Sequence, residues 1–256
     1  MGPGMEELER LVAPLRRDPD HSAVLTDVDG TIAPIVVDPN EATVPEETRE
    51  VLRALARQYA LVACLSGRRA TDARRVVGLD ELAYSGNHGF ELLLPGESEV
   101  HPDPSLDGHE ADAPRFVRAL DRSELERVGI RTEDKGAIVA LHWRGADNEG
   151  AAESLAQEIA SEAEWQGLVP HRGRKVLEIR PPVEVNKGQV VRELISRYKL
   201  RAALFAGDDV TDLDAFDALP DGVRVGVRSD EGPPEIVERA DLVVDDMAEV
   251  LAALAL

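Results

Sequence analysis

The chain has one cysteine in 256 residues, Cys64. It cannot form an internal disulfide, which agrees with a reducing compartment, and its place in the apolar run LVACLS reads as a small core side chain rather than a nucleophile. Also missing is any apolar run near the roughly 20 residues a bilayer-spanning helix needs. The opening MGPGMEELERLVAPLRR has no secretory apolar segment, so the expected location is the cytoplasm. Positive charge is scarce: 29 Lys and Arg stand against 50 Asp and Glu, a formal net charge of −21. That field opposes nucleic acid and anionic membranes as partners. It also repels anionic small molecules at long range, so a phosphate site here needs a metal ion and a local basic cluster.

A chain of 27.8 kDa, 43% apolar, has room for one large α/β domain or two smaller ones. Short β-branched runs, SAVLT, ALVACLS, AALFAG, VRVGV and DLVVDD, alternate with helical patterns such as PEETREVLRALARQ and KGQVVRELISRY. This predicts an α/β fold with a doubly wound parallel sheet. Such sheets bind ligands beyond the carboxyl ends of their strands. Asp27, Ser66 and the pair Asp208 and Asp209 each fall within a residue or two of such an end. From Pro102 to Arg174 the pattern changes. A Pro/Gly/Asp-rich opening precedes candidate strands around GIRTED and GAIVALHWR, a helix EGAAESLAQEIASEA, and further strands to KVLEIR. The reading is a small α+β domain with an antiparallel sheet, residues 105–181, inserted into a core of 1–104 and 182–256.

The stretch VLTDVDGTIAPI ends an apolar run with two acids one residue apart. Carboxylates that close repel each other unless a cation offsets the repulsion. One of them, Asp27, can attack phosphorus to form an aspartyl-phosphate, and the other, Asp29, can protonate the leaving oxygen and later deprotonate water. Gly30 permits the tight turn, and Thr31 can bond a phosphoryl oxygen. Ser66 and Gly67 in LSGRR, with exposed N–H groups at a helix start, make a phosphate cradle. Lys187 opens a helix, where a cation opposes the macrodipole unless it serves an anion. In LFAGDDVTDLDAF, Asp208, Asp209 and Asp212 crowd a strand end, and Asp27 with Asp208 would suffice as direct magnesium ligands. Each stretch has a plainer reading on its own: an acidic turn, an ordinary Ser N-cap, a solvated lysine, a solvated acidic loop.

Taken in order, Asp-x-Asp-Gly-Thr, Ser, Lys and Gly-Asp-Asp resemble the haloacid dehalogenase superfamily of phosphotransferases. The resemblance implies a Mg2+-dependent aspartyl nucleophile on a Rossmann-like core, with an inserted cap that selects the substrate. Asp27 is then nucleophile and metal ligand, Asp29 general acid and base and a metal ligand through its backbone carbonyl, and Ser66 and Lys187 phosphoryl binders. Asp208 ligates the metal, supported by Asp209 and Asp212. The stretches DGTIAPIVVDPNEATVP, LVACLSGRR, SGNHGFEL, TEDKGAIVALHWR, LEIRPPVEVNKG and GDDVTDLDAF resemble the trehalose-6-phosphate phosphatase family more closely.

Cap residues have chemistry of their own. A disaccharide phosphate needs charged and planar groups that make paired hydrogen bonds. Glu133 and Lys135 would share one face of a strand, as would His142 and Arg144. Cross-strand ion pairing explains them nearly as well. The resemblance favours Glu133, Lys135, Arg144 and Glu178 as sugar contacts, and Thr31, Gly67, Arg68, Asn87 and His88 as further substrate contacts on the core. The expected activity is hydrolysis of trehalose 6-phosphate by a monomer acting on a small phosphosugar. The alternatives are a phosphatase for another sugar phosphate (sucrose phosphate, a glycosyl phosphoglycerate or a pseudo-disaccharide phosphate), or a receiver-like phospho-aspartate signalling module. Receivers are about half this length, carry no cap, and lack the second acid.

Overall fold

A computed structural model describes residues 5–36, 39–173, 175–229 and 232–255. Val37 and Asp38, within one of the stretches quoted above, and Arg174 lie outside the described residues. In chain order the strands are β1 (Ser22–Thr26), β2 (Leu61–Leu65), β3 (Ala83–Gly86), β4 (Glu91–Leu93), β5 (His101–Pro102), β6 (Arg131–Asp134), β7 (Val139–His142), β8 (Val169–Gly173), β9 (Val176–Arg180), β10 (Ala202–Gly207), β11 (Val223–Val227) and β12 (Leu242–Val244). The chain divides into two compact units. Residues up to Pro102 and from Val185 onward form one, and Asp103–Glu184 the other, so that 103–104 and 182–184 fall with the inserted unit.

The first unit holds an eight-stranded sheet in the order β12-β11-β10-β1-β2-β3-β4-β5. From β12 to β3 all pairs are parallel. Every residue of β1 and β2 is buried, as expected of strands covered on both faces. Alternation does the sorting. Val24, Val62, Leu204 and Val225 pack against Leu8, Leu52, Val76 and Leu251 on one side. Ala23, Leu25, Ala63 and Phe205 pack against Val191, Leu194, Phe216 and Ile236 on the other. Chain order reverses at β1, flanked by β10 and β2, and this makes the crevice beyond its carboxyl end the place for a ligand.

The sheet continues past β3 through two antiparallel strands, β4 and the edge strand β5, that the sequence pattern does not announce. Asn87 and His88, at φ 51° and 59°, take the left-handed conformation and turn the chain back into β4. Asn tolerates that region, but three residues of ELL are too short to carry a period.

The second unit is a four-stranded antiparallel sheet, β6-β7-β9-β8. One face packs Leu141, Leu177 and Ile179 on helix residues Phe116, Leu125, Ala156 and Ile159. The other carries Glu133, Ala140, Glu178 and His171 in one aligned row. Among the described residues, no helix is long and apolar enough to cross a membrane.

Candidate active site

Asp27 is the first residue past β1, and its N–H still donates to the Ala206 carbonyl at 2.8 Å. That bond holds the carboxylate at the rim of the sheet, where it is only 6% exposed. Lys187, the first residue of the helix Lys187–Tyr198, is 2% exposed. Its Nζ donates to Asp27 Oδ1 at 2.6 Å and to Asp212 Oδ1 at 2.7 Å. The cation is therefore not a solvated surface lysine. The helix start is capped instead by Asn186, which exchanges hydrogen bonds with Gln189.

Asp208 follows β10 and is 4% exposed, so this acid, unlike the exposed Asp209 beside it, is not part of a solvated loop. Asp208 Oδ1 accepts from the Thr31 hydroxyl at 3.2 Å. Asp212 Oδ2 accepts from the N–H groups of Asp208 at 3.0 Å and Asp209 at 2.9 Å. Gly30 has φ 88°, and a Cβ there would sit 2.3 Å from Asp208 Oδ2. Glycine is thus needed both for the turn and for the approach of the two acidic segments.

Ser66 is buried at the end of β2. Its Oγ accepts from the Arg68 N–H at 3.1 Å, and the following helix starts only at Ala70 with Arg69 as its cap. Ser66 is therefore not the N-cap. The Asn87 N–H donates to the Arg68 carbonyl at 2.7 Å and the His88 N–H to the Ser66 carbonyl at 3.0 Å, bringing the β3–β4 turn against this loop. The His88 ring lies 2.7 Å from where a Gly67 Cβ would be, which leaves no room for a side chain at Gly67.

Asp29 pairs with Arg68 rather than with the lysine of the cluster. Arg68 Nε donates to its Oδ2 and Arg68 Nη2 to its Oδ1, both at 2.7 Å.

The charge balance of the site argues for a cation. Asp27, Asp208 and Asp212 bring carboxylate oxygens within 4.8 Å of one another, all buried. Burial pushes Asp27 well above the usual carboxylate range; the neighbouring acids add to this, and Lys187 opposes it. Burial and the charge of Asp212 push Asp208 up to about 7. For Lys187, burial acts to lower its affinity for the proton, and Asp212 and Asp27 more than reverse this. One ammonium stands among three carboxylates and bonds two of them. An all-oxygen donor set with excess negative charge suits a hard divalent cation. Asp212 engages both its oxygens within the protein, so Asp27 and Asp208 are the better donors. The carboxylates of Asp29, turned to Arg68, and of Asp209, exposed, lie outside this group.

In the second unit, Glu178 is 6% exposed and accepts from Lys135 Nζ at 2.9 Å. It also accepts from Arg180 Nη2 at 2.6 Å, a partner the sequence reading missed although alternation in LEIR puts Arg180 on the same face. Glu133 pairs with His142 at 2.8 Å, and that hydrogen bond holds its carboxyl below the usual range. The ion pairing expected as the plainer reading is present. Arg144 lies in the turn past β7, exposed, so it does not extend the face of His142.

A model of the trehalose-phosphatase family matches residues 25–255. A trehalose-phosphate phosphatase of Mycobacterium marinum is 37% identical over 218 residues, 82% of this chain and 54% of that protein. A probable trehalose-phosphate phosphatase of Arabidopsis thaliana is 34% identical over 226 residues, 79% of this chain and 59% of that protein. The chain spans about half the length of these curated relatives. Among solved structures, a trehalose-6-phosphate phosphatase related protein superposes with a TM-score of 0.72 at 26% identity, covering 91% of this chain and 95% of that one. The C-terminal domain of Candida albicans trehalose-6-phosphate phosphatase shares the fold, with a TM-score of 0.71 at 21% identity over 99% and 97% of the two chains.

Proposed function

The chain belongs to the trehalose-phosphatase family, and on that premise we propose that it hydrolyses trehalose 6-phosphate to trehalose and phosphate through an aspartyl-phosphate on Asp27. The observation that carries the reading is the buried Lys187 bridge between Asp27 and Asp212, with a second acid, Asp29, two residues from the first. An oxygen of Asp27 bonds to phosphorus while the bond to the sugar oxygen breaks, its electron pair leaving with that oxygen. Asp29 supplies the proton that oxygen takes up. Water then gives a proton to Asp29 and attacks phosphorus, and the bond to Asp27 breaks to return the carboxylate. Lys187, Ser66 and Thr31 donate to the phosphoryl oxygens as charge spreads over them. A divalent cation such as Mg2+ would be held by Asp27, Asp208 and the Asp29 carbonyl, and would supply positive charge against the phosphoryl group. Gly67, Asn87 and His88 shape the core side of the substrate site, where Arg68 pairs with Asp29. Glu133, Lys135, Arg144 and Glu178 are the groups proposed to bind the sugar hydroxyls. A receiver-like role finds no support in a chain with an inserted second unit and a second acid.

The test is phosphate release with Mg2+ from trehalose 6-phosphate, glucose 6-phosphate, sucrose 6-phosphate and an aryl phosphate, with Asp27→Asn as the blank. A preference for trehalose 6-phosphate of several hundredfold, about 3 kcal/mol or more in transition-state binding, is expected. Equal slow turnover of all four would overturn the sugar assignment. Undiminished activity of Asp27→Asn would overturn the nucleophile.

A further inference from the structure

The geometry points to Arg68 as the positioning residue for Asp29, an inference that rests on the general-acid role proposed above. The guanidinium meets the carboxylate as a fork: Nε on one oxygen, Nη2 on the other, both at 2.7 Å. A two-point contact between planar groups fixes the rotation of the carboxylate as well as its place, and lysine cannot reproduce it. The pair is largely sheltered, with side-chain exposures of 17% for Arg68 and 33% for Asp29. Solvent therefore competes weakly for either partner.

Both ends of the fork are anchored through the backbone. The Arg68 N–H is tied to Ser66 Oγ, and its carbonyl accepts from the Asn87 N–H. Asp29 is followed by left-handed Gly30, whose N–H donates to the Ala33 carbonyl at 2.8 Å. Relaxation of either loop is thus limited, and the direction of the Asp29 side chain depends on the guanidinium. Without the fork, an acid next to a buried cluster of like charges has reason to swing away into solvent. A general acid works only within hydrogen-bond reach of the oxygen it protonates, so loss of direction costs proton delivery.

The fork also has a consequence for the cycle. With both oxygens accepting from a cation, Asp29 has none placed to give a proton to a leaving group. One of the two bonds must open when substrate is bound, while the other keeps the carboxyl in place. Arg68 thus acts through Asp29, because these two donors face the acid.

A series of substituted phenyl phosphates tests this, compared by kcat/KM in Mg2+, which reports steps up to formation of the phospho-enzyme. The series spans leaving groups from nitrophenol, which needs little protonation, to phenol, which needs more. Relative to wild type, Arg68→Ala and Arg68→Lys are expected to lose less than about threefold on the nitrophenyl ester and about tenfold or more on the phenyl ester. The dependence on leaving-group pKa steepens as it does in Asp29→Asn, and the double variant is no steeper than Asp29→Asn alone. Added guanidinium ion flattens it again in Arg68→Ala. An equal loss across the series would make Arg68 a phosphoryl contact or a structural residue and overturn the inference, and so would wild-type behaviour of both Arg68 variants. Lys at this position guards against the alanine variant failing to fold. Absence of Asp27-dependent turnover in the wild type would overturn the phosphatase reading itself, together with the inference, and is distinguished by the Asp27→Asn blank.

Discussion

Removing the Lys187 ammonium is the most revealing single perturbation of the core. In Lys187→Met the stem length is kept, but Asp27 and Asp212, 6% and 0% exposed, lose the cation they share. Breaking a buried ion pair from one side costs about 3–5 kcal/mol, because a charge remains without its partner. Asp27 is already pushed toward its neutral form by burial, so protonation limits the damage to the lower end of that range. A loss of about 3 kcal/mol lowers the melting midpoint of a chain this size by roughly 6–12 °C. Turnover falls further, by about 10²–10³-fold, since the ammonium is aimed at Asp27, the proposed nucleophile. Scanning fluorimetry or calorimetry without metal measures the first effect, and phosphate release with Mg2+ the second. The pattern has a direction. The stability deficit of the variant shrinks as pH falls, because protonated carboxylates no longer need the cation. A midpoint within about 2 °C of wild type, with turnover within about tenfold, would refute the bridge as the organising contact of the site.

Three other outcomes follow from the same contacts. Asp208, held at about 7 when folded, binds its proton more tightly than in the unfolded chain, so metal-free stability falls as pH rises between the two values. Melting curves from about pH 5 to 8 check this; Asp208→Asn makes the slope shallower and leaves the share that the raised Asp27 contributes, and saturating Mg2+ opposes both. Gly30→Ala meets Asp208 Oδ2 and a φ of 88°, and a stability loss of about 1–3 kcal/mol with near-complete loss of activity is expected, read by melting and turnover together. Asp241 accepts from Arg224 Nε at 2.9 Å and Nη2 at 2.7 Å, which holds its carboxyl below the usual range. Asp241→Asn should cost no more than about 1 kcal/mol at neutral pH, given partial exposure. That contribution is present above the unfolded carboxylate pKa and lost as pH falls through the lower folded one, so the variant and wild type converge in acid.

Much of the fold was written locally. Strands buried on both faces show as unbroken apolar runs, and β1, β2, β10 and β11 fall within SAVLT, ALVACLS, AALFAG and VRVGV. Helix patterns were as legible, because the Lys187–Tyr198 segment carries a cap, a period of 3.6 and a break within one stretch. The short strands β4 and β5 were not, since three and two residues have no period and owe their state to pairing with β3 and each other. At the site, the sequence supplied the inventory of Asp27, Asp29, Ser66, Lys187 and Asp208, and the order of its motifs. It could not say which acid faces which cation. Asp27 and Lys187 are 160 residues apart, and Asp29 and Arg68 are 39 apart. Only packing of the sheet sets those distances. The sequence alone determined that carboxylates would gather at strand ends, because chain direction and strand periodicity are local properties. Tertiary structure decided that one acid is buried against a lysine while the other is forked by an arginine, because burial and pairing belong to surfaces that exist only once distant segments meet.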